Sequence, residues 1–396
     1  MRVTHLSLTD FRNYESAEVE LAAGPNLFVG SNGQGKTNLV EALGYLSTLG
    51  SHRVSVDHAM IRAGQSAAIV RARLENGERS VLAEVQINRT GANRAQINRS
   101  AIRTRELPRY FSSVLFAPED LALVRGEPSG RRRFLDELLV LRAPRVSGVF
   151  ADYERVVKQR NTLLKSARAS GIRGHLSTLD IWDERLVALG SELIEARGAL
   201  VAELRPEVRA SYAAIAGSDH AASLATSLSI LSPTGDDERA DAADADFSGE
   251  LLTATAAAEL FRTALERVRR SELERGLTLV GPHRDDLVLG LNALPARGYA
   301  SHGESWSFAL SLKLAAAAVL RRETNSGDPV LILDDVFAEL DESRRGRLAG
   351  AVADFEQVLI TAAVFDDVPE ALAAHVVRIR AGKIVEADIP VEEATP

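Results

Sequence analysis

Polar and apolar residues alternate from the start of the chain. Thr4-His5-Leu6-Ser7-Leu8 and Glu18-Val19-Glu20-Leu21 put an apolar residue at every second position, the period of a strand with one buried face. Asn26-Leu27-Phe28-Val29 lacks the alternation and reads as a strand buried on both faces, running into a glycine-rich turn. Residues 38–49 carry helical spacing. Further on, Ala68-Ile69-Val70 and Ala83-Glu84-Val85-Gln86-Ile87 are separated by Asn76-Gly77 and followed by Thr90-Gly91, as strands of antiparallel hairpins are. Residues 1 to about 120 therefore predict short strands around one helix, with a mixed sheet beside the strand at 26–29.

From about 130 to 215 the period becomes helical. Trp182, Leu186, Leu189, Leu193, Leu200 and Leu204 fall on one stripe, opened by a capping-box pattern at Ser177-Thr178-Leu179-Asp180. A helical hairpin or small bundle is expected, reversing near Ala169-Ser170-Gly171. Residues 232–250, rich in Asp, Ala and Gly, read as an exposed loop of a composition that supports no core. From 276 onward strands and helices alternate again, and Val376-Val377-Arg378-Ile379 is expected as the last strand. No internal repeat is visible.

Composition sharpens this picture. An apolar content of 45% with 26% charged residues suits a globular chain. With no cysteine, disulfides, thiolate zinc sites and cysteine nucleophiles are excluded, so any metal takes oxygen or imidazole ligands. The N-terminal alternation is a strand pattern and not a signal peptide, and the apolar helical run at 314–320 is too short for a bilayer; a cytoplasmic protein without membrane attachment is expected. The net charge of −8 disfavours diffuse nucleic-acid binding, but the charge is uneven. Residues 71–145 hold 15 arginines against nine acids, a local +6, while residues 236–250 hold seven acids and one arginine, a local −6. Any DNA contact is therefore expected to be local.

Chemistry enters at Gly30-Ser31-Asn32-Gly33-Gln34-Gly35-Lys36-Thr37, which satisfies the P-loop pattern between a strand and a helix. Glycines let backbone N–H groups wrap phosphates, the helix N-terminus adds positive potential, Lys36 reaches the outer phosphates and Thr37 offers a hydroxyl to Mg2+. ATP is the expected cofactor. Val330-Leu331-Ile332-Leu333-Asp334-Asp335 reads as a buried strand that delivers two carboxylates at its C-terminal edge. Asp334 is assigned to Mg2+, and Asp335 to polarising the attacking water, where ABC ATPases usually carry glutamate.

Between these motifs, Ala300-Ser301-His302-Gly303-Glu304 precedes a helix. Ser301 and Glu304 have capping-box spacing, and ordinary helix capping is one reading. The segment also resembles the ABC signature LSGGQ, with its leucine, first glycine and glutamine replaced, about thirty residues before the acidic strand. That resemblance implies that Ser301, Gly303 and Glu304 contact the γ-phosphate held by the P-loop of a second subunit. Ala338-Glu339-Leu340-Asp341 is similar to the ABC D-loop and adds Asp341 to the nucleotide residues. Where many ABC proteins carry a switch histidine this chain has Thr361 or Ala362, so γ-phosphate sensing is unassigned. The motif order implies an α/β fold, an ABC-type P-loop ATPase head of residues 1–125 and 271–396 with mixed sheets, split by an inserted α-helical arm domain at 126–270.

The resemblance narrows at Leu8-Thr9-Asp10-Phe11-Arg12-Asn13-Tyr14, Gly50-Ser51-His52-Arg53, Phe116-Ala117-Pro118-Glu119-Asp120, Arg131-Arg132-Arg133-Phe134-Leu135-Asp136 and Gly281-Pro282-His283-Arg284-Asp285-Asp286, all similar to sequences of the RecF family. That family implies an ATP-dependent homodimer that binds double-stranded DNA near single-strand gaps, hydrolyses ATP slowly and works with recombination mediator proteins to load recombinase. By residue chemistry alone these segments leave alternatives. Arg131, Arg132 and Arg133 suit a solvated helix start or, with Arg103 and Arg105, a DNA contact. Residues 283–286 suit a polar hairpin or a site, including a metal-hydrolytic carboxylate pair. His52 and Arg53 cover the nucleotide base or end a loop. Two other functions share the P-loop, signature and acidic strand: the ATPase subunit of a membrane transporter, and a DNA clamp that ATP locks without hydrolysis.

Overall fold

The computed structural model describes residues 1–170, 177–217, 220–232, 251–323 and 327–385. Gly171, at the expected reversal, and nearly all of the acidic segment at 232–250 lie outside them. The chain divides into two compact units. One comprises residues 1–120, 214–217 and 313–396, the other residues 121–213 and 218–312.

The first unit holds two six-stranded sheets. One is antiparallel throughout, built from β1 (Arg2–Phe11), β2 (Tyr14–Glu20), β4 (Ala67–Asn76), β5 (Arg79–Asn88), β6 (Arg94–Ile97) and β7 (Ser100–Ile102) in the order β2-β1-β4-β5-β6-β7. The alternation read in the sequence is its one buried face: Leu6, Leu8, Val70, Ala72, Val85 and Ile87 point inward. β1, β4 and β5 run ten residues each, longer than the short strands expected.

The second sheet joins β3 (Gly24–Val29), β8 (Ser113–Phe116), β12 (Val330–Asp334), β13 (Gln357–Ala362), β14 (His375–Arg380) and β15 (Lys383–Val385) in the order β15-β14-β3-β13-β12-β8. All its pairs are parallel except β14 with β15. The expected last strand is thus β14, and a short antiparallel strand follows it. α1 (Lys36–Thr48) packs against strands of both sheets and is buried from Leu39 to Ser47, which explains why its apolar residues do not keep to one stripe. Parallel register brings Asp334 of β12 opposite Thr361 of β13, and Thr361 opposite Phe28 of β3. Three strands therefore end side by side at the edge where the P-loop begins, the usual ligand-binding edge of such sheets.

The second unit is mainly helical. It contains α2 (Leu121–Arg125), α3 (Pro128–Arg142), α4 (Val146–Ala169), most of α5 (Ser177–Ala216) and α6 (Ala254–Arg275). It also holds a three-stranded sheet of β9 (Ala222–Ser227), β10 (Asp286–Leu291) and β11 (Leu294–Pro295) in the order β11-β10-β9. The short, kinked α7 (Ala296–Tyr299) leads to α8 (His302–Glu323), whose first turns belong to this unit. α5 is described from Ser177 onward, and Leu186, Leu193, Leu200 and Leu204 of its stripe are buried. On α4, Arg160, with no solvent exposure, donates to Glu272 at 2.6 and 3.0 Å, to Asp183 at 2.7 Å and to Thr278 at 2.9 Å. A buried cation so fully bonded is costly to unpair.

Candidate nucleotide site and the arginine-rich segments

β3 hands the chain to a loop that only glycine permits at several points. Gly33 and Gly35 have φ of +80° and +112°, and a Cβ on Gly35 would lie 2.8 Å from both Asn13 and the Tyr14 hydroxyl. A Cβ on Gly30 would lie 2.3 Å from the carbonyl of Ile379. The loop is held from outside. Tyr14 donates its hydroxyl to the Gly35 carbonyl at 3.1 Å, Asn13 donates to the Gln34 carbonyl at 3.2 Å, and Gly382 N–H donates to the same carbonyl at 3.1 Å. Asn13 and Tyr14, which end the segment at 8–14, therefore support the P-loop. No spacing rule signals this, because the contact joins a β-turn to a loop twenty residues away.

Ser31, Asn32 and Gly33 form the exposed rim of the loop, while Lys36 is buried beneath it. Its ammonium folds back on the loop, donating to the carbonyls of Gly30 at 2.6 Å and Ser31 at 3.2 Å, with Asn32 Oδ1 at 3.5 Å. Burial pulls its pKa down, against the opposing pull of Asp335 and Asp334. A phosphate is a stronger acceptor than these carbonyls, so the lysine is held in reach of one.

The two carboxylates at the end of β12 have distinct surroundings. Asp334 is buried, and its Oδ1 accepts the hydroxyls of Thr37 at 2.9 Å and Thr361 at 2.6 Å. Asp335 adopts the left-handed region at φ +56°, its N–H donating to Thr361 Oγ1 at 2.9 Å. Burial raises its carboxyl pKa, which strengthens it as a proton acceptor. Thr361, which the sequence marks only as a departure, thus ties both acids to the neighbouring strand. Among the described residues, no three His, Cys, Asp or Glu side chains gather into a metal site. The hard oxygen donors Thr37 and Asp334 nevertheless fit Mg2+, which commonly takes one or two protein ligands and the rest from phosphates and water.

The signature-like segment lies in the second unit. There Ser301 N–H donates to Glu304 Oε2 at 2.8 Å and Glu304 N–H to Ser301 Oγ at 3.3 Å, a reciprocal capping box at the start of α8. Ser301 is exposed, and Gly303 and Glu304 partly so. Asp341 accepts from Arg344 N–H at 2.9 Å as the N-cap of α9 (Glu342–Val352), which holds its pKa down.

Within the arginine run, Arg131 departs from the DNA-contact expectation. Arg131 is 4% exposed, forms a two-point pair with Asp286 at 2.8 Å on each arm, and donates to the carbonyls of Leu123 and Gly126. A buried guanidinium with every arm engaged offers nothing to a phosphate. Arg132, half-buried, donates to the Asp285 carbonyl at 2.6 Å, and only Arg133 of the three stands in solvent, paired with Glu137 at 2.7 Å. Arg131 is therefore closed to a phosphate, and the run is not wholly a solvated helix start: Arg131 and Arg132 clasp Asp285 and Asp286.

That segment also loses its metal-hydrolysis reading. Asp285 accepts the N–H and hydroxyl of Ser229, both at 2.8 Å, and burial pushes its pKa up to about 6. His283 Nδ1 meets the Tyr153 hydroxyl at 2.8 Å, and burial pulls its pKa down to about 4. Gly281, at φ +124°, leaves no room for a Cβ, which would lie 2.6 Å from Phe261 and Tyr153. Completing the clasp, Asp136 pairs with Arg197 at 2.8 and 2.9 Å. By contrast Arg103 and Arg105 are exposed, as are Arg79, Arg89, Arg94 and Arg99 on or beside the hairpins of the antiparallel sheet.

With this geometry in place, known proteins supply the context. The family description "RecF/RecN/SMC N terminal domain" matches residues 2–384. The DNA replication and repair protein RecF of Clavibacter sepedonicus is 65% identical over 100% of this chain and 98% of its own. That of Leifsonia xyli subsp. xyli is 66% identical over 98% and 100%. Among solved structures, the recombination mediator protein RecF with ATPrS, of the RecFOR pathway, matches with a TM-score of 0.85 at 26% identity over 97% of both chains. The same mediator with ATP matches at 0.82 and 25%, over 97% of this chain and 98% of that one. A Smc head domain from Pyrococcus furiosus, at 0.52 and 15% over 97% and 95%, shares the fold alone. Identity at this level along the full chain sets aside the transporter reading: the chain belongs to the RecF family of DNA replication and repair proteins.

Proposed function

We propose that this protein is an ATP-dependent DNA-binding protein of recombinational repair and replication-fork maintenance. ATP with Mg2+ binds at residues 30–37, Lys36 neutralises the outer phosphates, Thr37 and Asp334 hold the cation, and Asp335 polarises the attacking water. The observation that carries this reading is the convergence of Thr37, Thr361 and the two acids directly under the P-loop. Two ATP-loaded copies associate, with Ser301, Gly303, Glu304 and Asp341 of each completing the site of the other. Hydrolysis is slow and limits the life of this dimer, which sits on duplex DNA near single-strand gaps and assists recombinase loading with partner mediator proteins. Solved RecF structures with ATP and ATPrS support the nucleotide part of this reading.

The DNA surface is assigned to the exposed arginines at 79, 89, 94, 99, 103 and 105, which concentrate positive charge on an otherwise acidic chain. Sedimentation with and without ATP and a gapped duplex tests the proposal. A faster-sedimenting species that needs both Mg2+ and ATP and that retains the duplex is expected. Identical sedimentation in all four conditions would refute it.

A further inference from the structure

Gly50-Ser51-His52-Arg53 follows α1 and turns back beside it. Each neighbour of His52 is anchored. Ser51 donates its hydroxyl to Glu41 Oε1 at 2.5 Å and accepts the N–H groups of Arg53 at 3.0 Å and Val54 at 3.2 Å. Arg53 donates to Asn38 Oδ1 at 2.8 Å and lies 3.7 Å from Glu41. Glu41 itself, on α1, is held by two bonds from Arg12 at 2.5 and 2.8 Å. The imidazole between these anchors is fixed in place, with 15% of its side chain exposed.

His52 Nε2 is buried, makes no hydrogen bond among the described residues, and lies 3.7 Å from Asp334 Oδ2. An unpartnered polar nitrogen in such a place is costly and points to a ligand. The other oxygen of Asp334, Oδ1, already accepts two hydroxyls. Oδ2 is thus the oxygen left for a cation or its water, and His52 is the side chain that faces it. At 3.7 Å the two atoms are too far apart for a direct bond.

We propose that His52 is a positioning residue for the metal end of the bound nucleotide: its Nε2 bonds a water of the cation held by Thr37 and Asp334. This rests on the ATP–Mg2+ reading above. Outer-shell partners of this kind alter metal affinity by about 10- to 100-fold when removed.

The test compares ATP affinity in Mg2+ with ATP affinity in EDTA, by titration calorimetry, for the full-length parent, His52→Ala and His52→Gln. The parent is expected to bind more tightly in Mg2+. His52→Ala should shrink that metal-dependent gain about tenfold while leaving the affinity in EDTA within about twofold. His52→Gln, whose amide reaches a similar place, should restore most of the gain. A purely structural loop residue would lower both affinities together, and that result, or a gain unchanged in His52→Ala, overturns the proposal. Absence of any metal-dependent gain in the parent would instead remove the nucleotide reading itself, and the proposal with it. In a second readout, the parent with Mn2+ and ATP, labelled with 15N-histidine, should show a weak nitrogen coupling at the metal that His52→Gln loses. A coupling that survives the substitution counts against His52.

Discussion

Arg12 and Glu41 form a two-point ion pair, with N···O distances of 2.5 and 2.8 Å, in which the carboxylate side chain has no solvent exposure. The pair joins the turn after β1 to α1, and through Ser51 it also fixes the loop that carries His52. Asn13 and Tyr14, next in sequence, brace the P-loop. One buried carboxylate therefore connects two segments that the sequence shows only as separate family-like stretches.

Removing Arg12 leaves the buried Glu41 with the Ser51 hydroxyl and only the more distant Arg53 as a cation. Arg12→Ala is expected to destabilise the protein by about 3 kcal/mol, read as the shift in the urea midpoint. Arg12→Met with Glu41→Met, which removes both charges, should recover at least half of that loss. Equal destabilisation by the single and double substitutions would show that the charges are not coupled.

For the nucleotide site, Lys36→Ala should abolish most ATP binding, and with it ATP-driven association. Asp335→Asn should retain ATP affinity yet slow phosphate release by at least about 10-fold, because an amide is a poor proton acceptor. Calorimetry and a phosphate-release assay separate the two effects. Parent-like hydrolysis in Asp335→Asn would remove that residue from the chemistry.

Ser301→Arg should bind ATP as a monomer yet fail to associate with itself. Mixed with Lys36→Ala protein it regains association, since one composite site then has both motifs intact and the other has neither. Analytical ultracentrifugation of the mixture decides the matter. If Ser301→Arg alone dimerises with ATP, the residue is a helix cap and nothing more.

Stability between pH 4 and 6 carries opposing contributions from two neighbours. Asp285, whose folded pKa is raised to about 6, favours folding below its unfolded value near 4 and loses that contribution as pH rises to 6. His283, depressed to about 4, contributes above its unfolded value near 6.5 and loses the contribution as pH falls to 4. The cost of Asp285→Asn should therefore shrink as pH rises from 4 to 6, while that of His283→Asn should grow. Urea unfolding across that range tests both signs, and parallel pH curves for the two variants would contradict them.

Substituting Arg99, Arg103 and Arg105 by alanine should weaken binding to all duplexes alike, with ATP binding intact. The salt slope should fall by about 0.9 for each phosphate that is no longer neutralised. Arg131→Ala should instead unfold at lower urea by about 3 kcal/mol, since it leaves the largely buried Asp286 without its partner. A fluorescence-anisotropy titration at several salt concentrations reads the first. If the triple variant keeps the parent's affinity and slope, the DNA surface lies elsewhere.

The sequence by itself determined the elements and their order. The alternation of β1 and β4, the doubly apolar run of β3, the P-loop between β3 and α1 and the acids ending β12 all follow from local periodicity and glycine chemistry, which act over a few residues. The capping box at Ser301 is equally local, and it formed as its spacing predicts. Partnerships between distant segments came only with the tertiary structure. Arg131 and Asp286 are 155 positions apart, and nothing in an Arg-Arg-Arg run distinguishes a residue that will be buried from one that faces solvent. The role of Thr361 likewise depends on parallel register, which sets it beside Asp334 across 27 positions. Charge patterning reads what a side chain is, whereas burial and pairing depend on which distant strand or helix arrives beside it, and that was decided when the sheets and helices packed.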